Sequence, residues 1–514
     1  MDRRDFFKKS VLTGAAVSLP AGALQAVDSP PAGTRRIDSG APAILTGYTA
    51  DDHRRRLENI GVCTQKIRKC MRKHLITNYL PGQCCYNLGE YPCRKPWEIG
   101  EYDEQELDRL KEHGIQLVHI FDDWNDSLRL FGGDKYSATN PAGIRRFIEM
   151  CHRRGMKVLV YISTGFLQYT DPDFCQEWAT KGSILTLGYW QMARCSPASP
   201  GWRAYLLPRV TRILDEYGFD GFYVDTGYIT NAARAKMPDD APLKKPAEDE
   251  VAAFEETPEF DGALADILAL IYAEVKRRGG ILKLHIDGVL APKAANLPVY
   301  DYLWVGEGVT NADTLREKTK NHQPYVVPCI DMTYTSIEDD DDPYLHAIPY
   351  LQFPLLQAGR PWTGERASIP GVEYPLGDND WWRNRCKQIA EFLKTHPDGP
   401  YTYGGWDSVP GRPETRLTNA LWLKRYIPLA EDGTWVFLEI ADSQLLAKPL
   451  PPECVASAFA NRDLHLVLAN YGTTSVVIET VDNYVALDPS SASLNKIWNL
   501  PPRSLLILQR DRSV

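Results

Sequence analysis

Between about residues 80 and 360, short runs of β-branched and aromatic residues alternate with amphipathic stretches whose apolar positions recur three or four residues apart. That alternation predicts βα units wound around a parallel sheet. Strands are expected at 83–88, 115–121, 157–162, 221–225, 281–286, 302–305, 325–330 and about 350–356, eight in all. Helices are expected at 103–113, 140–154, 202–217 and 263–278, the first two stopped by Gly114 and Gly155 and the last by Gly279-Gly280. A polar segment at 231–258, rich in Pro, Lys and Glu, reads as a loop over the barrel mouth, and 380–394 as a closing helix. Beyond about Gly411 the period drops to two, with short alternating runs at 434–440, 455–459, 464–469, 475–479 and 504–509. The expected fold class is therefore α/β, a (β/α)8 TIM barrel over 80–411 with a C-terminal antiparallel β-sandwich over 412–514.

The first residues change the picture ahead of the barrel. Arg3-Arg4-Asp5-Phe6-Phe7-Lys8 precedes a short, weakly apolar stretch from Val11 to Ala26, a pattern similar to a twin-arginine export signal over 1–26. Residues 27–79 then form an extension leading into the barrel. The stretch is too short to span a bilayer, so the expectation is an exported protein, periplasmic or secreted, with no stable membrane insertion.

Charge and cysteine content narrow the partners. The chain carries 58 Lys and Arg against 67 Asp and Glu, a net charge of -9, with no basic run fit to follow a phosphate backbone, so nucleic acid is not an expected partner. Eleven cysteines show no Cys-x-x-Cys pair, which argues against a thiolate metal site. Buried free thiols are expected, with one or two disulfides among Cys63, Cys70, Cys84, Cys85 and Cys93.

The chemistry gathers at the predicted strand ends. Asp122 and Asp123 follow the second strand, Asp225 the fourth, Asp287 the fifth, Glu307 the sixth and Asp331 the seventh. Barrel interiors are apolar, so acids at these positions face the open C-terminal mouth, where catalytic side chains of such barrels collect. Two carboxylates are what glycosidic cleavage requires. They stand about 5–5.5 Å apart when one attacks the sugar and about 6.5–9.5 Å apart when a water does, and sequence does not choose between these spacings.

The Asp-Asp pair with Trp124 after the second strand, Asp225 after the fourth and Glu307 after the sixth resemble the melibiase-type α-galactosidase clan of (β/α)8 glycoside hydrolases over roughly residues 80–400. The run Gly218-Phe-Asp-Gly-Phe-Tyr-Val-Asp225 is also similar to the fourth strand of α-amylase-type enzymes. The first resemblance implies Asp225 as nucleophile, Glu307 as acid/base, and Asp122 and Asp123 gripping sugar hydroxyls beside Trp124. The second moves the acid to Asp287. Both families place a basic residue two positions before the nucleophile, where this chain has Tyr223, and melibiase-type enzymes commonly use Asp where Glu307 stands. The resemblance therefore implies a sugar-cleaving barrel acting on an α-linked carbohydrate with retention, without fixing the sugar; together with the export signal the expectation is an exported glycosidase, and two carboxylates doing the chemistry need no cofactor and no metal.

Other residues near strand tips complete the candidate site. Tyr228, Trp304 and Trp362, like Trp124, offer aromatic faces that either stack on a sugar or pack the interior, and His285 alternates within the fifth strand as a possible substrate contact. Arg203 is expected in a salt bridge at a helix start. The acidic run 338–342 reads as a solvated loop in preference to a calcium site. The alternative to an enzyme is a carbohydrate-binding protein on a barrel scaffold, which would keep Trp124, Asp122 and Asp123 without turnover.

Overall fold

The computed structural model describes residues 47–89, 97–126, 129, 132–168, 171–187, 190–225, 258–286, 298–306, 309, 311–329, 341–360, 391, 394–396, 409, 411–487 and 493–511. Residues 51–514 form one compact unit.

The unit opens with helix α1 (Ala50–Lys66) and strand β1 (Ile67–Leu75). Barrel units follow: β2 (Gln83–Asn87), α2 (Glu101–Glu112), β3 (Leu117–Ile120), α3 (Pro141–Arg153) and β4 (Lys157–Ser163). Asn140 caps α3 by accepting a hydrogen bond from the Gly143 backbone N–H, with Pro141 in the first turn, as the Asn-Pro pair dictates. A three-stranded antiparallel sheet is then inserted, made of β5 (Phe166–Gln168), β6 (Ala179–Leu187) and β7 (Trp190–Cys195), in the order β5-β7-β6. Helix α4 (Pro200–Tyr217) returns to the barrel and ends at Gly218, whose φ of 83° is the left-handed cap that glycine adopts without a Cβ penalty.

Strand β8 (Gly221–Asp225) is followed by α5 (Pro258–Arg277), β9 (Ile281–Ile286), β10 (Tyr302–Val305), α6 (Ala312–Thr319), β11 (Val326–Pro328), α7 (Asp342–Ala347), β12 (Leu356–Gly359) and α8 (Leu417–Tyr426). The eight barrel strands pair in parallel in the order β11-β10-β9-β8-β4-β3-β2-β12. The last strand pairs with the first, so the sheet has curled back on itself, which makes it a (β/α)8 barrel; among the described residues no ladder joins β11 to β12. Tight lateral packing explains Gly221, since a Cβ there would lie 1.8 Å from the Ile281 carbonyl oxygen.

After the barrel come β13 (Trp435–Ser443), β14 (Cys454–Ala460), β15 (Leu464–Asn470), β16 (Val476–Ala486), β17 (Asn495–Leu500) and β18 (Ser504–Arg510). They form one sheet in the order β1-β13-β14-β15-β18-β16-β17. The expected C-terminal antiparallel layer is present, with two differences from the expectation. It is a single seven-stranded sheet, and its edge strand β1 comes from the segment ahead of the barrel, pairing antiparallel with β13. Two hydrophobic clusters result, a large one filling the barrel and its helix layer, and a smaller one under the C-terminal sheet.

Other departures have physical causes. The eighth strand begins at Leu356, because 348–350 form a 3-10 turn and the two prolines Pro349 and Pro354 break the ladder in the run expected to be extended. The inserted sheet at 166–195 was not anticipated, since β5 is only three residues long and β6 and β7 lack a regular apolar alternation. Helix α8 belongs to the barrel, because Leu423 packs against Gly82 and Gly114, so the barrel runs past the expected limit at 411. The loop at 231–258 and most of 380–394 lie outside the described residues. Cys63, Cys70 and Cys84 are free thiols, correcting the disulfides expected among them: adjacent Cys84 and Cys85 occupy successive, oppositely facing strand positions and do not pair with each other. Cys93 lies outside the described residues. No helix among the described residues is long and apolar enough to cross a membrane.

Candidate active site at the barrel mouth

Strand alternation decides which side chains enter the barrel. From β3, β4, β8, β9 and β10 the inward set includes His119, Phe121, Tyr161, Tyr223, His285 and Trp304, which meet ring to ring. Tyr223 lies at the centre of this group, 4.3 Å from His119, 5.5 Å from Phe121, 5.8 Å from both Tyr161 and His285 and 5.6 Å from Trp304 between ring centroids. This aromatic floor seals the interior beneath the mouth.

Asp225 stands above it, at the C-terminal end of β8, with its side chain 23% exposed. The Tyr161 hydroxyl donates to its Oδ2 at 2.8 Å, and the His285 Nδ1 lies 3.6 Å from its Oδ1. That second distance is an ion-pair contact and too long for a hydrogen bond. The Asp225 carbonyl accepts the Thr164 backbone N–H at 2.9 Å, and the Trp202 indole N–H fixes that turn by donating to the Thr164 carbonyl at 3.0 Å. The carboxylate is thus held from three strands while remaining open to solvent.

The remaining candidates divide sharply. Asp123 is 1% exposed, and its Oδ2 accepts the backbone N–H groups of Leu88 and Gly89 at 2.6 and 3.1 Å. It ties the end of β2 to the turn after β3, so its carboxylate is turned into the protein and the expected grip on sugar is corrected. Trp124 is fully buried, donates its indole N–H to the Tyr161 carbonyl at 2.9 Å and packs edge-on against Tyr217 and Phe219. Trp304 is fully buried beside His285. Neither tryptophan has a face left for a sugar, so both expected stacking roles are replaced by packing. The backbone of Asp122 lies in a 3-10 turn with Trp124; its side chain, together with Glu307, Asp287, Asp331, Tyr228 and Trp362, lies outside the described residues. His285 joins Asp225 instead of standing alone in the core. Arg203 makes the expected helix-start ion pair, with Asp266. Asp341 and Asp342 of the acidic run accept from the Trp422 indole and the Arg503 guanidinium, each at 2.6 Å.

Sequence reasoning missed Tyr161. The signal is the register: Tyr161 pairs laterally with Tyr223, so it faces inward two residues before the Asp225 level, a pairing that no single strand's pattern reveals.

Deeper in the barrel, Lys283 is fully buried and its Nζ has no hydrogen-bond partner among the described residues. Burial pulls its ammonium down to about 8. His119, also fully buried, is pushed well below the usual imidazole range by burial and then by the nearby Lys283 charge. The Cys63 and Cys195 thiols are poor nucleophiles, since burial raises both to about 12.

No family model matches the chain, and no curated protein matches it. Solved structures similar to it include an α-amylase from Geobacillus thermoleovorans complexed with acarbose, with 10% identity and a TM-score of 0.45 over 85% of this chain and 97% of that one. An Anoxybacillus α-amylase shows 12% identity and a TM-score of 0.49 over 85% and 100% of the two chains. A maltogenic α-amylase from Thermotoga neapolitana shows 13% identity and a TM-score of 0.46 over 84% and 99%. All three are α-amylases, and none is a melibiase-type enzyme.

Proposed function

We propose that the chain is a glycoside hydrolase that cleaves an α-linked glycoside with retention, using Asp225 as nucleophile and Glu307 as acid/base, with Asp287 as the other candidate for the acid. The observation that carries this reading is the state of Asp225: a partly open carboxylate at a barrel strand tip, oriented by a hydroxyl donor above a water-excluding aromatic floor. An oriented carboxylate is the group that attacks an anomeric carbon. Protonation of the leaving oxygen by the second acid then lets the covalent sugar form, and water later releases it. The chemistry asks for no cofactor.

The test is a panel of aryl α- and β-glycosides with wild type and Asp225→Ala, the anomer of the first product being read by NMR. Turnover of an α-glycoside, lost by a factor of about 10³ or more in the variant, is the expected result. A variant that cleaves at close to the wild-type rate removes Asp225 from the reaction.

Export by the twin-arginine route belongs to the same reading. It is supported by Arg3-Arg4 and by the free thiols of Cys63, Cys70, Cys84, Cys151, Cys175 and Cys454, as suits a chain that folds in a reducing compartment before it is moved. Replacing Arg3 and Arg4 together by Lys is expected to leave the protein in the cytoplasmic fraction.

A further inference from the structure

We infer that Tyr161 and His285 are positioning residues that hold the Asp225 carboxylate, one oxygen each, and together take over from the basic side chain that the resembling families carry two positions before the nucleophile. The inference rests on Asp225 being the nucleophile. In this chain that upstream position is Tyr223, which lies one pleat lower and is 1% exposed, packed against His119 and His285. A phenol sealed in the floor supplies no charge to the mouth.

The strand register supplies the substitutes. Val224 pairs with Leu284, so the next residues, Asp225 and His285, stand abreast on the inward face. On the other side Ser163 pairs with Asp225 and Tyr161 with Tyr223, which puts the Tyr161 ring one level down, within reach of Oδ2 through its hydroxyl. The hydroxyl and the imidazole thus approach from opposite neighbours and face different oxygens. A hydroxyl fixes direction, whereas the imidazole 3.6 Å away adds charge when it is protonated.

The groups facing the His285 ring set the sign of its response to pH. Asp225 favours the imidazolium, Lys283 on the same inward face of β9 opposes it, and His119 is neutral in the interior. Tyr223 lies stacked against the ring, Trp304 meets it edge-on, and Tyr161 faces it across the shared carboxylate. Removing the Asp225 charge leaves Lys283 as the charged influence among these.

The first test needs no substrate. In imidazole NMR titrations, the His285 midpoint is expected to fall by about one pH unit or more in Asp225→Asn relative to wild type; an unmoved midpoint overturns the pairing. The second uses whichever aryl glycoside is hydrolysed. Tyr161→Phe is expected to lower kcat by about 10- to 100-fold with KM within about twofold, and His285→Gln to remove one limb of the pH profile of kcat/KM. Unfolding midpoints confirm that both variants fold. A wild-type kcat in Tyr161→Phe, or an unaltered profile in His285→Gln, overturns the assignment for that residue. If no glycoside is cleaved yet the His285 midpoint shifts, the pairing stands and the hydrolase reading alone fails.

Discussion

Asp225 and Lys283 enter the same barrel from neighbouring strands, and their surroundings are opposites. The acid sits at the strand tip, part exposed, with a hydroxyl and an imidazole on its two oxygens. The amine sits within the strand, sealed from water, with no partner for its Nζ among the described residues. One charge is supported where it can act, and the other is a cost that burial already reduces by drawing the ammonium toward its neutral form. The contrast shows that the open end of this barrel is built for charge and its interior merely tolerates it.

Replacing Asp225 by Ala gives the largest expected effect, the loss of about three or more powers of ten in turnover described above, with little change in the unfolding midpoint. A large drop in stability with activity intact would reverse the contrast. Lys283→Met comes next and acts in the other direction. Between pH 8 and 10.5 the unfolded chain holds the lysine proton that the folded chain releases, so wild-type stability rises with pH in that window. Below pH 8 the whole penalty is present. Denaturant unfolding at pH 7 is therefore expected to find the methionine variant more stable by about 3 kcal/mol, the difference shrinking toward pH 10. A less stable variant would mean that the amine is bonded in the folded protein.

Asp123→Ala separates mouth from scaffold on a finer scale. It strips two buried backbone N–H groups of their acceptor and is expected to cost about 2 kcal/mol, while turnover per folded molecule stays within about threefold. A collapse of turnover at unchanged stability would return Asp123 to the substrate. Trp124→Phe removes the indole hydrogen bond to the Tyr161 carbonyl and part of a buried ring, and is expected to cost about 2 kcal/mol by thermal unfolding.

Most of the barrel was legible because βα units write both of their periods into the chain. The fourth, fifth and sixth strands fall on the residues expected, and Asp225 could be placed at a tip from local sequence alone. What escaped needed neighbours. Asp123 and Trp124 have the residue types of a sugar site, and only the turn after β3 shows them facing inward, where backbone donors and a carbonyl take them up. Tyr161 contributes through a lateral register that no single strand reveals. The edge strand β1 has a mixed, Lys- and Arg-rich pattern, legible only once its partner β13 is known.

That edge strand has a consequence for how the molecule is made. The segment 67–75 leaves the ribosome well before its hydrogen-bonding partner in 435–443, with the barrel strands between them. During translation it waits with its strand edge uncovered while the whole barrel is assembled between the two, so any chain released early carries an open, unpaired flank that invites association with its own kind. A truncation before β13 is thus expected to leave aggregates in place of a free-standing barrel.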